Sequence, residues 1–408
     1  MGSVKIKKLI KSCLEGKALP GMLVMGVICV MGVLSTWIHP LEEKDFLSLY
    51  MAAVAFKQGQ DPYHAATVLH MTLYPFLYLP YALYLFYPFT WLGYALAARV
   101  FLTLKLMAIV GLLCLWHRLF NLNQYRGLFY AVVPLAFGGG LLWDWRLGNI
   151  SIFEQLLIWL GFYFYCKGRN MVFGVAIILA ASLKFVPILL LGLLAARWRK
   201  KELLQGALCF VLFLVLVTAG AAMWPDLTRS FWENLQGLRR ETGEGNAASW
   251  AFINDVTDWL LLKTGGRIPA MAPLGIYAVL VSGILAVTGA MYWRLRQMEQ
   301  KRADLWRICL TCLAYALIVP RMKGYSYIIL IAPAFFILNS SKWVNPVLPF
   351  YGLLVLFTFR NFQFLGTNLE PFFCFQNVYY CLWLACVLFG LCCGCIWRET
   401  ASQTNRSD

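Results

Sequence analysis

Between Leu203 and Trp224 the chain carries no charged side chain, and comparable apolar runs recur along most of its length. A run of that length can cross a hydrocarbon core about 30 Å thick as a helix, which satisfies every backbone polar group internally. Repeated runs of this kind separated by short loops restrict the chain to a polytopic helical membrane protein. A transmembrane barrel is excluded, because its strands would read as short alternating segments. Composition agrees: 61% of the 408 residues are hydrophobic and 13% are charged, too few to cover a soluble protein of this size. The net charge of +16 does not point to a nucleic-acid partner, because the basic residues fall in short clusters between the apolar runs. Cytoplasmic loops are basic in this way.

The basic clusters set the topology. "KIKKLIK" precedes a first span over Gly21–Ile38, which runs into "IHPLEEKD" rather than a small-residue cleavage site and is read as retained. Further spans are expected at Trp91–Trp116, Gly127–Trp143, Ile150–Cys166, Met171–Leu183, Val186–Ala196 and Leu203–Trp224. Others follow at Ala272–Trp293, Trp306–Val319, Ile328–Leu338, Val344–Phe359 and Val378–Trp397. The expectation is an all-α polytopic protein of about twelve spans, roughly ten to thirteen, with both termini cytoplasmic. "LYPFLYLPYALYLFYPF" is apolar but rich in proline and tyrosine, so it reads as a kinked segment near the outer interface. The domain reading is a basic N-terminus over 1–20, one transmembrane domain over 21–397, and a disordered cytoplasmic tail over 398–408. External loops are expected over 39–90, 225–269, 320–327 and 360–377.

With that topology the unusual polar residues gather at the outer face: Glu42, Glu43, Asp45, Asp61, Asp144, Arg146, Asn149, Lys184, Arg321 and Lys323. Charges at membrane depth are costly and commonly mark a substrate path. From Asp45, the residues Phe46, Leu49, Tyr50, Ala53 and Phe56 recur at helical spacing, which suggests an amphipathic helix along the outer interface. Asp45 at its start suits an N-cap, and equally a general base at the water–lipid boundary. Lys184 lies between two apolar half-spans, where a lysine either snorkels or meets an anionic head group. Arg321 and Lys323 in "PRMKGYSY" suit a phosphate clamp or an ordinary external turn. In "WDWRLGN", Asp144 and Arg146 are spaced for a local pair, with Trp143 and Trp145 as interfacial anchors or sugar platforms. Gly245, Asn246, Ser249 and Trp250 form a turn that could bind hydroxyls. Arg99 and Lys105 lie inside a span, Arg99 near the outer face, and Glu154 sits one turn into its span beside a neighbour it could pair with.

No metal site or cofactor is expected. The cysteines fall in apolar runs without zinc spacing, and His39, His64, His70 and His117 do not cluster. There is no P-loop and no Gly-x-Ser-x-Gly elbow.

The first-loop segment "DFLSLYMAAVAFKQGQDPY" resembles the signature of polyprenyl-phosphate-mannose-dependent mannosyltransferases, glycosyltransferase family 87 (the DUF2029 group) of the GT-C superfamily. Asp45-Phe46, Tyr50, Ala52-Ala53, Gly59 and Pro62-Tyr63 carry the match. "YPF" at Tyr74, Gly148-Asn149 leading to "ASLKFVP", and "GNAAS" at Gly245 follow in order. The resemblance implies a GT-C-type helical bundle and a site on the outer face of a bacterial plasma membrane. It implies transfer of a hexose or pentose from a polyprenyl-phosphate sugar to a lipid-linked or glycan hydroxyl. It assigns the base to Asp45. Lys184, Arg321, Lys323 and Arg146 are then candidates for the donor phosphate. Tyr50, Asp61, Tyr63, Asn149, Asn246, Ser249 and Tyr325 are candidates for substrate contact. Expected partners are the donor, a glycolipid or glycan acceptor and membrane lipids. The family pattern has a Ser-Pro segment with histidines where this chain has "PRMKGYSY", which leaves donor sugar and acceptor open. A flippase of lipid-linked sugars and a polysaccharide polymerase or ligase are the rival readings. The first would line a path through the membrane with charge, and the second gives the Asp45 helix no task.

Overall fold

The computed structural model describes residues 26, 44–71, 73–120, 129–130, 133–237, 243, 246–265, 269, 271–340 and 370–407. The basic N-terminus, the first span Gly21–Ile38 apart from residue 26, Glu42, Glu43, Gly245, the span Val344–Phe359 and 360–369 of the last loop lie outside them. Every regular element among the described residues is helical. The principal ones are α1 (Lys44–Lys57), α2 (Tyr94–Phe120), α3 (Ala136–Leu147), α4 (Ser151–Cys166), α5 (Asn170–Leu183) and α6 (Lys200–Met223). They continue as α7 (Pro225–Gly237), α8 (Ser249–Thr264), α9 (Ala272–Arg294), α10 (Gln300–Ile318), α11 (Ile331–Ser340) and α12 (Glu370–Ser407).

Among the described residues four helices are long and apolar enough to cross a membrane: Tyr94–Phe120, Lys200–Met223, Ala272–Gln297 and Val378–Ser402. The α3–α4 pair, bent by 118°, is a fifth if it forms one span. Asn170–Leu183, Val186–Arg197 and Gly324–Ser340 are shorter apolar helices, so the described chain offers fewer full spans than the apolar runs suggested. Helices α6 and α9 keep side chains such as Leu204 and Val279 exposed, as lipid-facing helices do. By contrast α10 is enclosed, with Trp306 and most residues to Leu317 buried.

Three segments differ from or refine their sequence reading. The expected loop over 225–269 contains α7 and α8. Its polarity hid an inward-facing residue, Phe231, which packs on Tyr63 at 6.1 Å between ring centroids. The tail is not irregular: α12 continues through Ser407. Glu399 ties it to α10 by accepting from Arg302 at 2.6 Å and from the Trp306 indole at 3.0 Å. The Pro/Tyr segment is indeed broken, into Pro80–Ala82, Leu83–Phe86 and Tyr87–Trp91. Each 3-10 turn there has proline at its first positions, where the missing N–H costs nothing.

Helices α4 and α5 run antiparallel and carry polar groups at both ends. At one end Arg197 grips Asp304 with two bonds of 2.6 and 3.1 Å and donates to the Tyr165 carbonyl at 3.0 Å. Arg307 adds a 2.8 Å bond to Asp304, and Glu202 lies 3.3 Å from Arg197. This knot is almost fully buried and joins α4, α6, α10 and the 3-10 stretch Val186–Arg197. The other end of the pair holds Ser151 and Lys184.

Candidate active site

The site is built around the α3–α4 bend. Helix α3 ends on Gly148, whose φ of 64° lies in the left-handed region that favours glycine. A Cβ there would sit 2.7 Å from the Phe46 Cβ, so glycine also permits α1 to pack against the bend. Further back, Gly138 (φ 70°) is needed because a Cβ would fall 1.6 Å from the Tyr380 hydroxyl. Helix α1 is buried on several sides by Phe46, Ser48, Leu49, Tyr50, Ala52, Ala53 and Ala55, more enclosed than a one-sided stripe requires. Phe46 stacks on Phe101 of α2 at 4.4 Å.

Asn149 follows Gly148 and is buried, with its side-chain amide bonded at both ends. Its Nδ2 donates to Asp45 Oδ2 at 2.8 Å and to the Tyr325 hydroxyl at 3.0 Å. Its Oδ1 accepts from the Ser151 backbone N–H at 3.0 Å and the Ser151 hydroxyl at 2.8 Å. Those four bonds exhaust the donors and lone pairs of an amide and fix its orientation. Asp45 is half-buried in the first turn of α1. Ser151 in turn accepts from Lys184, which also pairs with Glu154 at 2.9 Å and lies 5.4 Å from the centre of the Tyr325 ring. The donors therefore point in one direction, from the Lys184 ammonium through Ser151 and Asn149 to the Asp45 carboxylate. Helix α5 ends at Leu183 and Lys184 is extended (φ −142°, ψ 128°), which turns its side chain out of the helix ladder.

Arg321, half-buried, faces the phenol of Tyr78 and opposes the effect of Asp45, Glu154 and Asp144 on it. Burial, reinforced by those three carboxylates, pushes the Tyr78 phenol well up, so it remains a hydroxyl donor. Asp45, Asn149, Lys184, Arg321 and Tyr325 thus share one neighbourhood although they span much of the sequence. Lys323 is half-exposed, at the start of the 3-10 stretch Gly324–Leu330.

Other candidates have structural partners. Asn246 donates to the Pro320 carbonyl at 3.0 Å and accepts from the Met322 N–H at 2.8 Å. Ser249 donates to the Leu317 carbonyl at 2.6 Å, and Tyr327 to the Ala247 carbonyl at 2.7 Å. This strand of contacts holds the segment that carries Arg321 and Tyr325. Tyr50 and Tyr63 donate to the carbonyls of Leu92 (2.8 Å) and Tyr78 (2.6 Å). Asp61 caps its turn through the Tyr63 N–H at 2.9 Å and accepts from Ser230 of α7 at 2.7 Å. Arg146 is exposed beside Trp143 at 5.9 Å, and Arg99 is exposed near the start of α2. The Asp144–Arg146 spacing does not produce a pair: Asp144 turns inward to Lys105 at 2.8 Å, because positions i and i+2 on a helix face different ways. Trp250 packs on Tyr277 at 5.3 Å.

Ser151 and Tyr78 were not singled out from the sequence. Ser151 could have been found as the hydroxyl one turn ahead of Glu154, but Tyr78 was one of many tyrosines in an aromatic segment. No group of histidine, cysteine or carboxylate side chains among the described residues is arranged to hold a metal.

The chain matches no curated protein and no solved structure closely enough to count. The sequence model of glycosyltransferase family 87 matches residues 76–320, more than half of the chain. That stretch contains Asn149, Ser151, Lys184 and Asn246, and begins after Asp45. With its apolar helices, the chain belongs to glycosyltransferase family 87 and is a membrane glycosyltransferase.

Proposed function

We propose that the protein transfers a hexose, mannose-like, or a pentose from a polyprenyl-phosphate sugar to a hydroxyl of a lipid-linked or glycan acceptor, with inversion. The observation that carries this reading is the bond from Asn149 to Asp45 Oδ2, in a neighbourhood that also holds Lys184 and Arg321. Asn149 occupies one carboxylate oxygen, and Oδ1 is the one assigned to take the acceptor proton. As that proton leaves, the acceptor oxygen attacks the anomeric carbon and the bond from that carbon to the phosphate oxygen breaks. Polyprenyl phosphate departs with the bonding pair. One carboxylate base suffices for a single displacement, whereas retention through a covalent intermediate would call for two. Lys184 and Arg321, with Lys323 and Arg146 nearer the surface, are assigned to the developing phosphate charge.

The site is assigned to the outer face and both termini to the cytoplasm. Support comes from Arg197, Arg199, Lys200 and Lys201, which cluster beyond the opposite ends of α4 and α5. The positive-inside rule places such a cluster in the cytoplasm. About twelve spans and an interfacial α1 belong to the same proposal. The test is incubation of purified protein with labelled polyprenyl-phosphate sugars and membrane extract, followed by identification of the labelled product. Wild-type protein labels an acceptor and Asp45→Asn does not. Full transfer by well-folded Asp45→Asn would refute the assignment.

A further inference from the structure

Lys105 lies on α2 with its side chain completely buried, and sugar transfer gives it no direct task. Its ammonium is 2.8 Å from the Asp144 carboxylate, which is equally buried, and it also donates to the Asp144 carbonyl. Burying two charges is expensive, and apolar replacements of such pairs are often neutral or stabilising. Stability alone therefore does not account for the pair, whereas its position does.

Asp144 lies in the last turn of α3, beside the Gly148 C-cap. Its carbonyl accepts from the Gly148 N–H and from the Asn149 N–H at 3.3 Å, and Lys105 adds a third donor to it. The ammonium thus holds the turn that presents Asn149, and a cation at a helix C-terminus is favourable to the helix dipole. One turn earlier on the same face of α2, Phe101 stacks on Phe46, the residue after Asp45. The Lys105 ammonium is itself 5.8 Å from the centre of the Phe101 ring. A single turn of α2 therefore grips the neighbours of both partners in the Asn149–Asp45 bond.

We propose that Lys105, paired with Asp144, is a positioning residue that holds the α3–α4 bend against α1 so that the Asn149 amide meets Asp45. The role rests on the reading of Asp45 as the base. It also explains why the residue is a lysine, since no apolar side chain could bond the Asp144 carbonyl.

The test uses full-length protein in lipid nanodiscs with three variants: Lys105→Met, the double variant Lys105→Met/Asp144→Leu, and Asp45→Asn. The single variant leaves a buried carboxylate without its cation and melts lower. The double variant removes both charges and recovers its melting temperature. Hydrogen–deuterium exchange of the peptide spanning the bend is read against that of α10, which separates local loosening from general destabilisation. In the double variant the bend exchanges faster than in wild type. Its turnover of labelled polyprenyl-phosphate sugar falls about tenfold with donor KM unchanged, the size expected for a small misplacement of reacting groups. Wild-type exchange at the bend, or wild-type turnover despite faster exchange, overturns the proposal. Asp45→Asn in the same assay keeps the two claims apart. If it stays active, the base assignment fails, while bend exchange still decides whether Lys105 holds the turn.

Discussion

Helices α4 and α5 connect two polar clusters of similar composition, roughly 20–25 Å apart by the rise of α4. At one end Asp304 receives bonds from Arg197, Arg307 and Gln300, and the group is nearly shut off from solvent. At the other end Asp45 is half-buried, and Lys184 keeps 24% of its side-chain surface exposed. A carboxylate whose bonding capacity is filled by buried guanidinium groups serves the fold. One that is oriented by a single amide and left partly open can accept a proton from a ligand. The Lys105–Asp144 pair stands between these types, closed like the knot but placed directly behind the open site.

That contrast makes opposite demands on equivalent substitutions. The largest expected effect on activity is from Asp45→Asn, which lowers transfer by about 10²–10⁴-fold, the range for losing a general base. Its melting temperature stays near wild type. Asp304→Asn should behave the other way. It leaves Arg197 and Arg307 without their shared counter-charge and costs about 3–5 kcal/mol, read as a lower melting temperature. Transfer per folded molecule stays close to normal. If Asp304→Asn proved inactive while fully stable, the division between a structural and a chemical cluster would fail. Lys184→Ala sharpens the contrast within the site: donor KM rises by more than acceptor KM. Equal changes in both would remove the phosphate role. Glu399→Gln is the smallest, because the Arg302–Glu399 pair is partly exposed, with 43% and 26% of the two side chains accessible. It should change stability by less than about 1 kcal/mol, measurable as a small shift in melting. A large loss would mean that the end of α12 contributes more to the bundle than its exposure indicates.

The residues that could be picked out from the sequence share one property. Each is locally out of place. Lys184 interrupts two apolar half-spans, Asp45 opens a helix after three acidic or basic neighbours, and Arg321 and Lys323 follow a proline at the end of a span. Asn246 and Ser249 were noticed for the same reason, yet in the fold they hold the 320–327 segment by its backbone. A polar side chain in an apolar setting signals that it has a partner, but its spacing does not say whether that partner is substrate or carbonyl. Asp144 shows the limit most clearly. Its neighbour in sequence, Arg146, was the obvious counter-ion, and the actual one is 39 positions away on α2.

Hydropathy and the placement of charge were sufficient for the all-helical membrane class and for singling out the first acidic residue of α1, and a short motif carried the family resemblance. These are local properties, carried by runs of a few to about twenty residues. They could not say that Asn149 bridges Asp45 and Tyr325, which lie 104 and 176 positions from it. Nor could they say that Lys105 closes on Asp144, or that Ser151 and Asn149 link Lys184 to Asp45. Those pairings depend on the 118° bend at Gly148 and on how closely α1 and α2 approach it. Contact between distant segments is a consequence of packing, and packing is a property of the folded chain as a whole.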